Sequence, residues 1–149
     1  MRGMTLQLYD FPRLIWRKLN HCLRNINDIW RGYTFVSYAP EGQLVGFPEE
    51  IGKYSFVDYS GSVSFGKNVK IGYGVVILSS TTIVGKKSVN IIRKPVIIGD
   101  SVEIGSNVVI LPGVTVGSNS TIGANSLVNK NIPESSMAFG SPARIAFKK

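Results

Sequence analysis

Aliphatic residues recur at every sixth position through much of the C-terminal half of the chain. This first ladder consists of Ile98, Ile104, Ile110, Val116, Ile122 and Val128. A second ladder lies four residues further on, at Val102, Val108, Val114, Ser120 and Ser126. A period of six matches neither the 3.6 residues of a helical turn nor the alternation of a plain strand. It predicts a parallel β-helix in which every sixth side chain returns to the interior.

Glycine directly follows most members of the first ladder, which predicts tight corners that leave no room for a Cβ atom. The same rhythm occurs earlier, first at Ile51, Val57 and Val63, and then, after a slip of two, at Phe65, Ile71, Ile77 and Ile83. It fails between Val84 and Val96, where glycine, proline and basic residues predict a protruding loop over 84–96. The fold class we predict is therefore all-β.

The N-terminal segment has a different pattern. Between Pro12 and Trp30, apolar residues recur at spacings of three and four with arginine and lysine between them, which predicts an amphipathic α-helix ended by Gly32. We divide the chain into a helix and linker (1–48) and a β-helix (49–149) with a C-terminal extension (131–149). We expect the predicted helix to pack on its own β-helix or on a neighbouring subunit. The alternative is contact between residues 12–31 and a membrane surface.

Charge and composition narrow the range of partners. The net charge of +8 implies an anionic partner, such as the phosphates of CoA, a nucleotide-sugar or a membrane face. We expect no nucleic acid, because the basic residues are scattered and no recognition motif accompanies them. The single cysteine, Cys22, excludes an internal disulfide framework. Without a signal-peptide pattern, the chain is expected to be cytoplasmic, with membrane association at the inner face as the alternative.

Three segments resemble the hexapeptide-repeat acyltransferases, namely Ile98 to Gly117, Asn129 to Pro133 and Gly140 to Arg144. The nearest subgroup is the small xenobiotic, galactoside and polysaccharide O-acetyltransferases, and the likeness covers residues 51–147. It implies a left-handed parallel β-helix, a homotrimer with acyl-CoA sites between subunits, and acetyl-CoA as the acyl donor without a metal. The γ-class carbonic anhydrases share this coil but need three zinc-binding histidines. This chain has one histidine, His21, and it falls on the polar side of the predicted helix.

The enzymes that the chain resembles use a histidine base just before the protruding loop, and residues 75–82 contain none. Thr82 aligns with that position and Ser80 is the alternative. Asp58 stands where related enzymes carry an asparagine that contacts the acceptor, so Asp58 and Thr82 are the candidate catalytic residues. Asp58, Tyr59 and Ser80 are the candidate substrate-binding residues. Asp58 has an equally plausible interpretation as a turn aspartate at a coil corner.

On the cofactor side, the resemblance places Ser106 and Ala124 along the pantetheine arm. It places Lys130 and Arg144 near the phosphates at the nucleotide end. Glu103 departs from the pattern, because it replaces an aromatic residue that is common in the xenobiotic and galactoside enzymes.

Together these features predict an acyl-CoA-dependent transferase that acts on a sugar or amino-sugar nucleotide in surface-polysaccharide biosynthesis. The missing histidine favours an amine acceptor, because a neutral amine attacks a thioester with its own lone pair. The alternative is a non-catalytic β-helical scaffold or regulatory subunit.

Overall fold

The computed structural model describes residues 32–84 and 89–148. The predicted amphipathic helix, with His21 and Cys22, lies outside these ranges. No helix among the described residues is long and apolar enough to cross a membrane. The described chain forms seventeen short strands: β1 Thr34–Val36, β2 Leu44–Val45, β3 Glu50–Ile51, β4 Phe56–Asp58, β5 Val63–Phe65, β6 Lys70–Ile71, β7 Val76–Leu78, β8 Ser80–Val84, β9 Val89–Arg93, β10 Val96–Ile98, β11 Glu103–Ile104, β12 Val109–Ile110, β13 Thr115–Val116, β14 Thr121–Ile122, β15 Leu127–Val128, β16 Ser136–Phe139 and β17 Arg144–Lys148.

The strands stack as a parallel β-helix of five coils with three faces. Sheet 1 has the order β1-β4-β7-β12-β15, sheet 2 the order β2-β5-β10-β13, and sheet 3 the order β3-β6-β11-β14-β16-β17. Two pairs are antiparallel: the hairpin β8–β9, which leaves the coil, and β16–β17, which ends it. This architecture confirms the predicted parallel β-helix.

Both ladders face the interior, as the period of six predicts. Every member of the first ladder is at most 3% exposed, and so is every member of the second. The serines of the second ladder satisfy their hydroxyls internally, since Ser120 Oγ donates to the carbonyl of Pro133 (2.7 Å) and Ser126 Oγ to that of Gly123 (2.6 Å). The second ladder thus begins with valines and ends with small serines whose hydroxyls are hydrogen-bonded.

The corner glycines are required by the approach of the next coil. A Cβ on Gly105 would lie 2.6 Å from the backbone nitrogen of Ala124, and one on Gly117 would lie 2.3 Å from that of Glu134. A second corner position, also at every sixth residue, has a left-handed backbone at Ser101, Asn107, Gly113, Asn119 and Asn125. Asparagine and glycine tolerate this conformation better than most residues.

One ladder assignment was wrong. Ile83 is 53% exposed on β8, so the interior ladder of that segment ends at Ile77. The chain leaves the coil at Ser80, where β8 starts to pair with β9, and returns after Arg93. The hairpin therefore begins before the loop predicted over 84–96.

Candidate functional site

Two of the corners carry the candidate site residues. We call the turn from sheet 1 to sheet 2 the hairpin corner; it comprises residues 37–43, 59–62, 79–95, 111–114 and 129–131. The turn that follows sheet 3 is the inter-coil corner, which comprises residues 52–55, 72–75, 105–108, 123–126 and 140–143. It leads to sheet 1 of the next coil, except at 140–143, where the chain turns back into β17.

Asp58 ends β4 at the hairpin corner and is 3% exposed. Its Oδ1 accepts hydrogen bonds from the backbone N–H of Ser60 (2.8 Å) and from the Ser60 hydroxyl. Its Oδ2 accepts from the backbone N–H of Ser80 (3.2 Å) and from Ser80 Oγ (2.5 Å). Neither ion pair in the described part of the chain involves Asp58. Serine hydroxyls and backbone amides therefore hold this buried carboxylate.

The hydrogen bonds around Asp58 join three successive coils. Ser60 Oγ accepts from the backbone N–H of Tyr38 on the preceding coil (2.9 Å). Ser79 Oγ, on the following coil, donates to the backbone carbonyl of Asp58 (2.7 Å) and accepts from the N–H of Gly61 (2.8 Å). Because Ser80 is the first residue of β8, the carboxylate fastens the base of the hairpin to the coil.

The other two candidates at this corner are Tyr59 and Thr82. Tyr59 is half-buried, packs against the core and donates its backbone N–H to the carbonyl of Val36 (2.9 Å). Thr82 is exposed on β8 opposite Ile91. Residues two apart on a strand share a face, so Thr82 lies on the same face of β8 as Ser80. The structure thus brings Asp58, Tyr59 and Ser80 together and places Thr82 further out along the hairpin.

Ser106 and Ala124 lie one above the other at the inter-coil corner. The backbone N–H of Asn125 donates to the carbonyl of Ser106 (2.9 Å). Ser106 Oγ accepts from the backbone N–H of Tyr73 on the preceding coil (3.2 Å). Ser106 is half-buried and Ala124 is exposed, so these two coils present a strip of small side chains at the surface of the corner.

The two basic candidates are separated. Arg144 is exposed and follows the turn at the inter-coil corner of the last coil, where the N–H of Ala143 donates to the carbonyl of Leu127 (2.8 Å). Lys130 is also exposed but lies at the hairpin corner. Ser106, Ala124 and Arg144 therefore share one corner, and Lys130 shares the other with Asp58.

The two corners are opposite edges of sheet 1. A coil needs several extended residues to cross that sheet, so the corners lie on the order of 15 Å apart. Within one copy of the chain, the candidate acyl-transfer residues and most of the candidate cofactor residues do not meet.

Glu103 lies on sheet 3, among polar and charged side chains. It is in register with Lys70 on one side and with Thr121 on the other, whose Oγ1 donates to Glu103 Oε2 (3.4 Å). Lys70 forms an ion pair with Glu50 (3.3 Å). The hydrogen bond and charge of Glu50 raise the pKa of Lys70, and the charge of Glu103 adds to this. The negative charge of Glu103 is therefore partly balanced by its neighbour.

Sequence reasoning missed three exposed residues at the inter-coil corner: Lys53, Tyr54 and Tyr73. Aligning the corners coil by coil would have found them, because Lys53 and Tyr73 occupy the position of Ser106 on the two preceding coils. Within the ranges that the structure describes, no group of three or more His, Cys, Asp or Glu side chains could hold a metal ion.

Comparison with known proteins points to one fold family. The family model for the bacterial transferase hexapeptide (six repeats) matches residues 95–130. No curated protein sequence matches the chain. A hexapeptide-repeat acetyltransferase from Vibrio cholerae, solved with acetyl-CoA, is 24% identical with a TM-score of 0.59, over 95% of this chain and 79% of that one.

Two further solved structures share the fold. The polySia-specific acetyltransferase NeuO is 28% identical with a TM-score of 0.55, over 79% of this chain and 62% of that one. A variant of AntD, an N-acyltransferase from Bacillus cereus solved with dTDP and coenzyme A, is 15% identical with a TM-score of 0.64, over 78% of this chain and 65% of that one. The chain therefore carries hexapeptide repeats over residues 95–130 and shares the fold of these acetyltransferase structures.

Proposed function

We propose that the protein is an acetyltransferase that uses acetyl-CoA to acylate a sugar or amino-sugar nucleotide in surface-polysaccharide biosynthesis. The observation that carries the proposal is the strip of small side chains at the inter-coil corner, where Ser106 and Ala124 lie on neighbouring coils and Arg144 lies further along, on β17 beyond β16. A thin flexible arm fits along such a strip, and the guanidinium at its end is suited to phosphate. The acetyl-CoA complex of the Vibrio cholerae protein supports this choice of donor.

The separation of the two corners supports a site between copies of the chain. In a cyclic homotrimer, the inter-coil corner of one copy can meet the hairpin corner of the next, because every interface of such a ring joins two different surfaces. Ser106, Ala124 and Arg144 of one copy then hold the donor. Ser80, Asp58 and Lys130 come from the adjacent copy, so Lys130 serves the cofactor across the interface.

The Ser80–Asp58 hydrogen bond suggests how a proton could leave the acceptor without a histidine. The acceptor nitrogen or oxygen attacks the thioester carbon, the new C–N or C–O bond forms, and the C–S bond breaks with release of CoA thiolate. The acceptor proton passes to Ser80 Oγ, which gives its own proton to Asp58 Oδ2. The N–H of Ser60 and that of Ser80 orient the carboxylate for this transfer. Thr82, on the same face of β8, is positioned to contact the acceptor.

A binding experiment tests the cofactor assignment. We expect Arg144→Ala to weaken acetyl-CoA binding roughly 10-fold to 100-fold, because a charge-assisted hydrogen bond is worth about 1.5–3 kcal/mol. Lys130→Ala should have a similar effect. The matched control is Lys67→Ala, which removes one exposed positive charge from a corner that carries none of the candidates. Isothermal titration calorimetry measures all four proteins, and equal affinities in all of them would refute the assignment.

One observation favours the scaffold as a second candidate. The Asp58 carboxylate is fully engaged by serines, an arrangement that a purely structural corner would also have. A well-folded protein that does not bind acetyl-CoA at millimolar concentration would make this candidate the better one. Contact between residues 12–31 and a membrane or a neighbouring subunit stays a prediction.

A further inference from the structure

Tyr54 adopts a backbone conformation that is unusual for its residue type. Its φ is 66°, in the left-handed region, and its side chain is 82% exposed. The equivalent corner position is Gly74, Asn107 and Asn125 on the following coils. A bulky aromatic side chain disfavours this conformation, and packing does not compensate because the ring is in solvent. A strained, exposed residue is a reason to look for a function.

Two more exposed side chains accompany Tyr54 at the inter-coil corner. Tyr73, one coil further on, is 62% exposed. The backbone N–H of Gly74 donates to the carbonyl of Lys53 (3.0 Å), which fixes the two coils against each other. The stem of Lys53 packs against Gly32, where an added Cβ would lie 3.0 Å from Lys53 Cγ. The two coils are therefore joined at this corner, and Lys53, Tyr54 and Tyr73 are all exposed.

Among the residues that the structure describes, Lys53 forms no ion pair with a carboxylate. The two ion pairs of the described residues are Lys70–Glu50 and Arg93–Glu41. Lys53 is exposed and brings a positive charge to this corner, where the exposed Tyr54 follows it in the chain. A cation next to an aromatic face suits a ligand that combines phosphate with a planar ring.

The cluster continues the strip that we assign to the donor. Tyr73 donates its backbone N–H to Ser106 Oγ (3.2 Å), so it lies one coil from Ser106, and Lys53 and Tyr54 lie one coil beyond. Coils are spaced by about 4.8 Å. If Arg144 holds the nucleotide end of acetyl-CoA, the pantetheine arm runs past Ala124 to Ser106. The thioester at the end of that arm then points towards Tyr73. The acceptor must then lie on the Tyr73 side.

We infer that Lys53, Tyr54 and Tyr73 form the subsite for the nucleoside diphosphate of the acceptor. A tyrosine ring stacks on the base and the Lys53 ammonium binds the diphosphate, which places the sugar beside the thioester. This inference rests on the proposed function and specifies its acceptor as a nucleotide-sugar rather than a free sugar.

Calorimetry with dTDP and UDP, in the presence of saturating acetyl-CoA, tests the inference. Saturating donor blocks the CoA nucleotide site, so the probes report only on a second site. Because stacking on one aromatic side chain contributes about 1–3 kcal/mol per base, Tyr54→Ala or Tyr73→Ala should weaken probe binding roughly 5-fold to 150-fold. Lys53→Ala should weaken it about 10-fold. Acetyl-CoA affinity should stay within about twofold of wild type in all three variants.

The controls remove one aromatic side chain or one lysine elsewhere. Phe147→Ala removes a 54% exposed ring on β17, and Lys67→Ala removes an exposed lysine; neither should change probe binding. Tyr54→Asn gives a second readout: it should raise the melting temperature, because asparagine tolerates the left-handed backbone, while it weakens probe binding.

Three outcomes would overturn the inference: no probe binding by a wild-type protein that binds acetyl-CoA, unchanged probe affinity in the variants, or dissociation of the oligomer by Tyr54→Ala in light scattering. The last result would make the tyrosines an interface between copies. Failure of the wild-type protein to bind acetyl-CoA would instead refute the proposed function.

Discussion

Substitutions of the buried Asp58 give the sharpest prediction, because they should change the melting temperature and the turnover rate by different amounts. Asp58→Ala removes the acceptor of four hydrogen bonds, two from backbone N–H groups and two from hydroxyls. The hydroxyls can rotate to other partners, whereas the N–H groups of Ser60 and Ser80 cannot. Each buried donor left without a partner costs about 1–3 kcal/mol, so we expect a loss of about 2–5 kcal/mol.

Asp58→Asn keeps one carbonyl oxygen for Ser60 and turns an NH₂ group towards the N–H of Ser80. The Ser80 hydroxyl can then accept, so we expect a smaller loss of about 1–2 kcal/mol. For a chain of this size, 1 kcal/mol corresponds to roughly 2–4 °C in melting temperature. The alanine variant should therefore melt roughly 4–20 °C below wild type and the asparagine variant roughly 2–8 °C below it.

Calorimetric melting and the rate of CoA release with amino-sugar nucleotides measure the two effects. If Ser80 passes a proton to Asp58, Asp58→Asn and Ser80→Ala should each lower turnover about 10²-fold or more, and Ser80→Thr should restore part of it. The matched control is Asp100→Ala, since Asp100 is exposed and its carboxylate accepts one hydrogen bond, from the N–H of Lys67 (2.7 Å). An Asp58→Ala protein that melts with the wild type would refute the anchoring of the hairpin. Wild-type turnover by Asp58→Asn at a temperature where it is folded would refute the proton transfer.

Two further predictions concern the corner and sheet 3. Gly105→Ala should destabilise the protein by about 1–3 kcal/mol, because the added Cβ would meet the backbone of Ala124. The same methyl group would narrow the strip and should weaken acetyl-CoA binding. An unchanged melting temperature would contradict the close approach of the two coils. The hydrogen bond to Glu50 raises the pKa of Lys70 in the folded state. The ion pair therefore stabilises the protein fully at pH values below the ordinary lysine pKa of 10.5, and this stabilisation is lost as the pH rises through the pKa of the folded state. The melting temperature of wild type relative to Lys70→Met should therefore be constant from pH 7 to 9 and fall above 10.5, and a difference that grows with pH would contradict the assignment.

The fold could be predicted from the sequence because a period of six has one geometric solution over consecutive repeats. The same rule failed at Ile83, which lies six residues after Ile77 but belongs to a hairpin whose strands alternate with period two. Spacing alone cannot separate these cases, because six is a multiple of two. Where the chain leaves the coil depends on the pairing of β8 with β9, which is a tertiary property.

The candidate site was only partly predictable. Asp58 and Ser80 were chosen separately, and their contact follows from the register in which Asp58 pairs with Leu78. Lys130 and Arg144 were both assigned to the CoA phosphates, but the path of the chain places them on opposite edges of sheet 1. The left-handed backbone of Tyr54 shows in the sequence only through its register, because the equivalent residues on the following coils are Gly74, Asn107 and Asn125.

The spacing of the coils bears on the order in which the protein folds. In the C-terminal coils the strands pair with residues 16 or 18 positions away, as Thr121 does with Met137 and Glu103 with Thr121. Across the hairpin, Phe65 pairs with Ile98, which encloses 33 positions. The longer closure costs only about 0.5 kcal/mol more in chain entropy. The N-terminal coils close over similar separations, since Glu50 pairs with Lys70 over 20 positions. The coils on each side of the hairpin should therefore form from local contacts first, and the step that joins the two groups across the hairpin should come later.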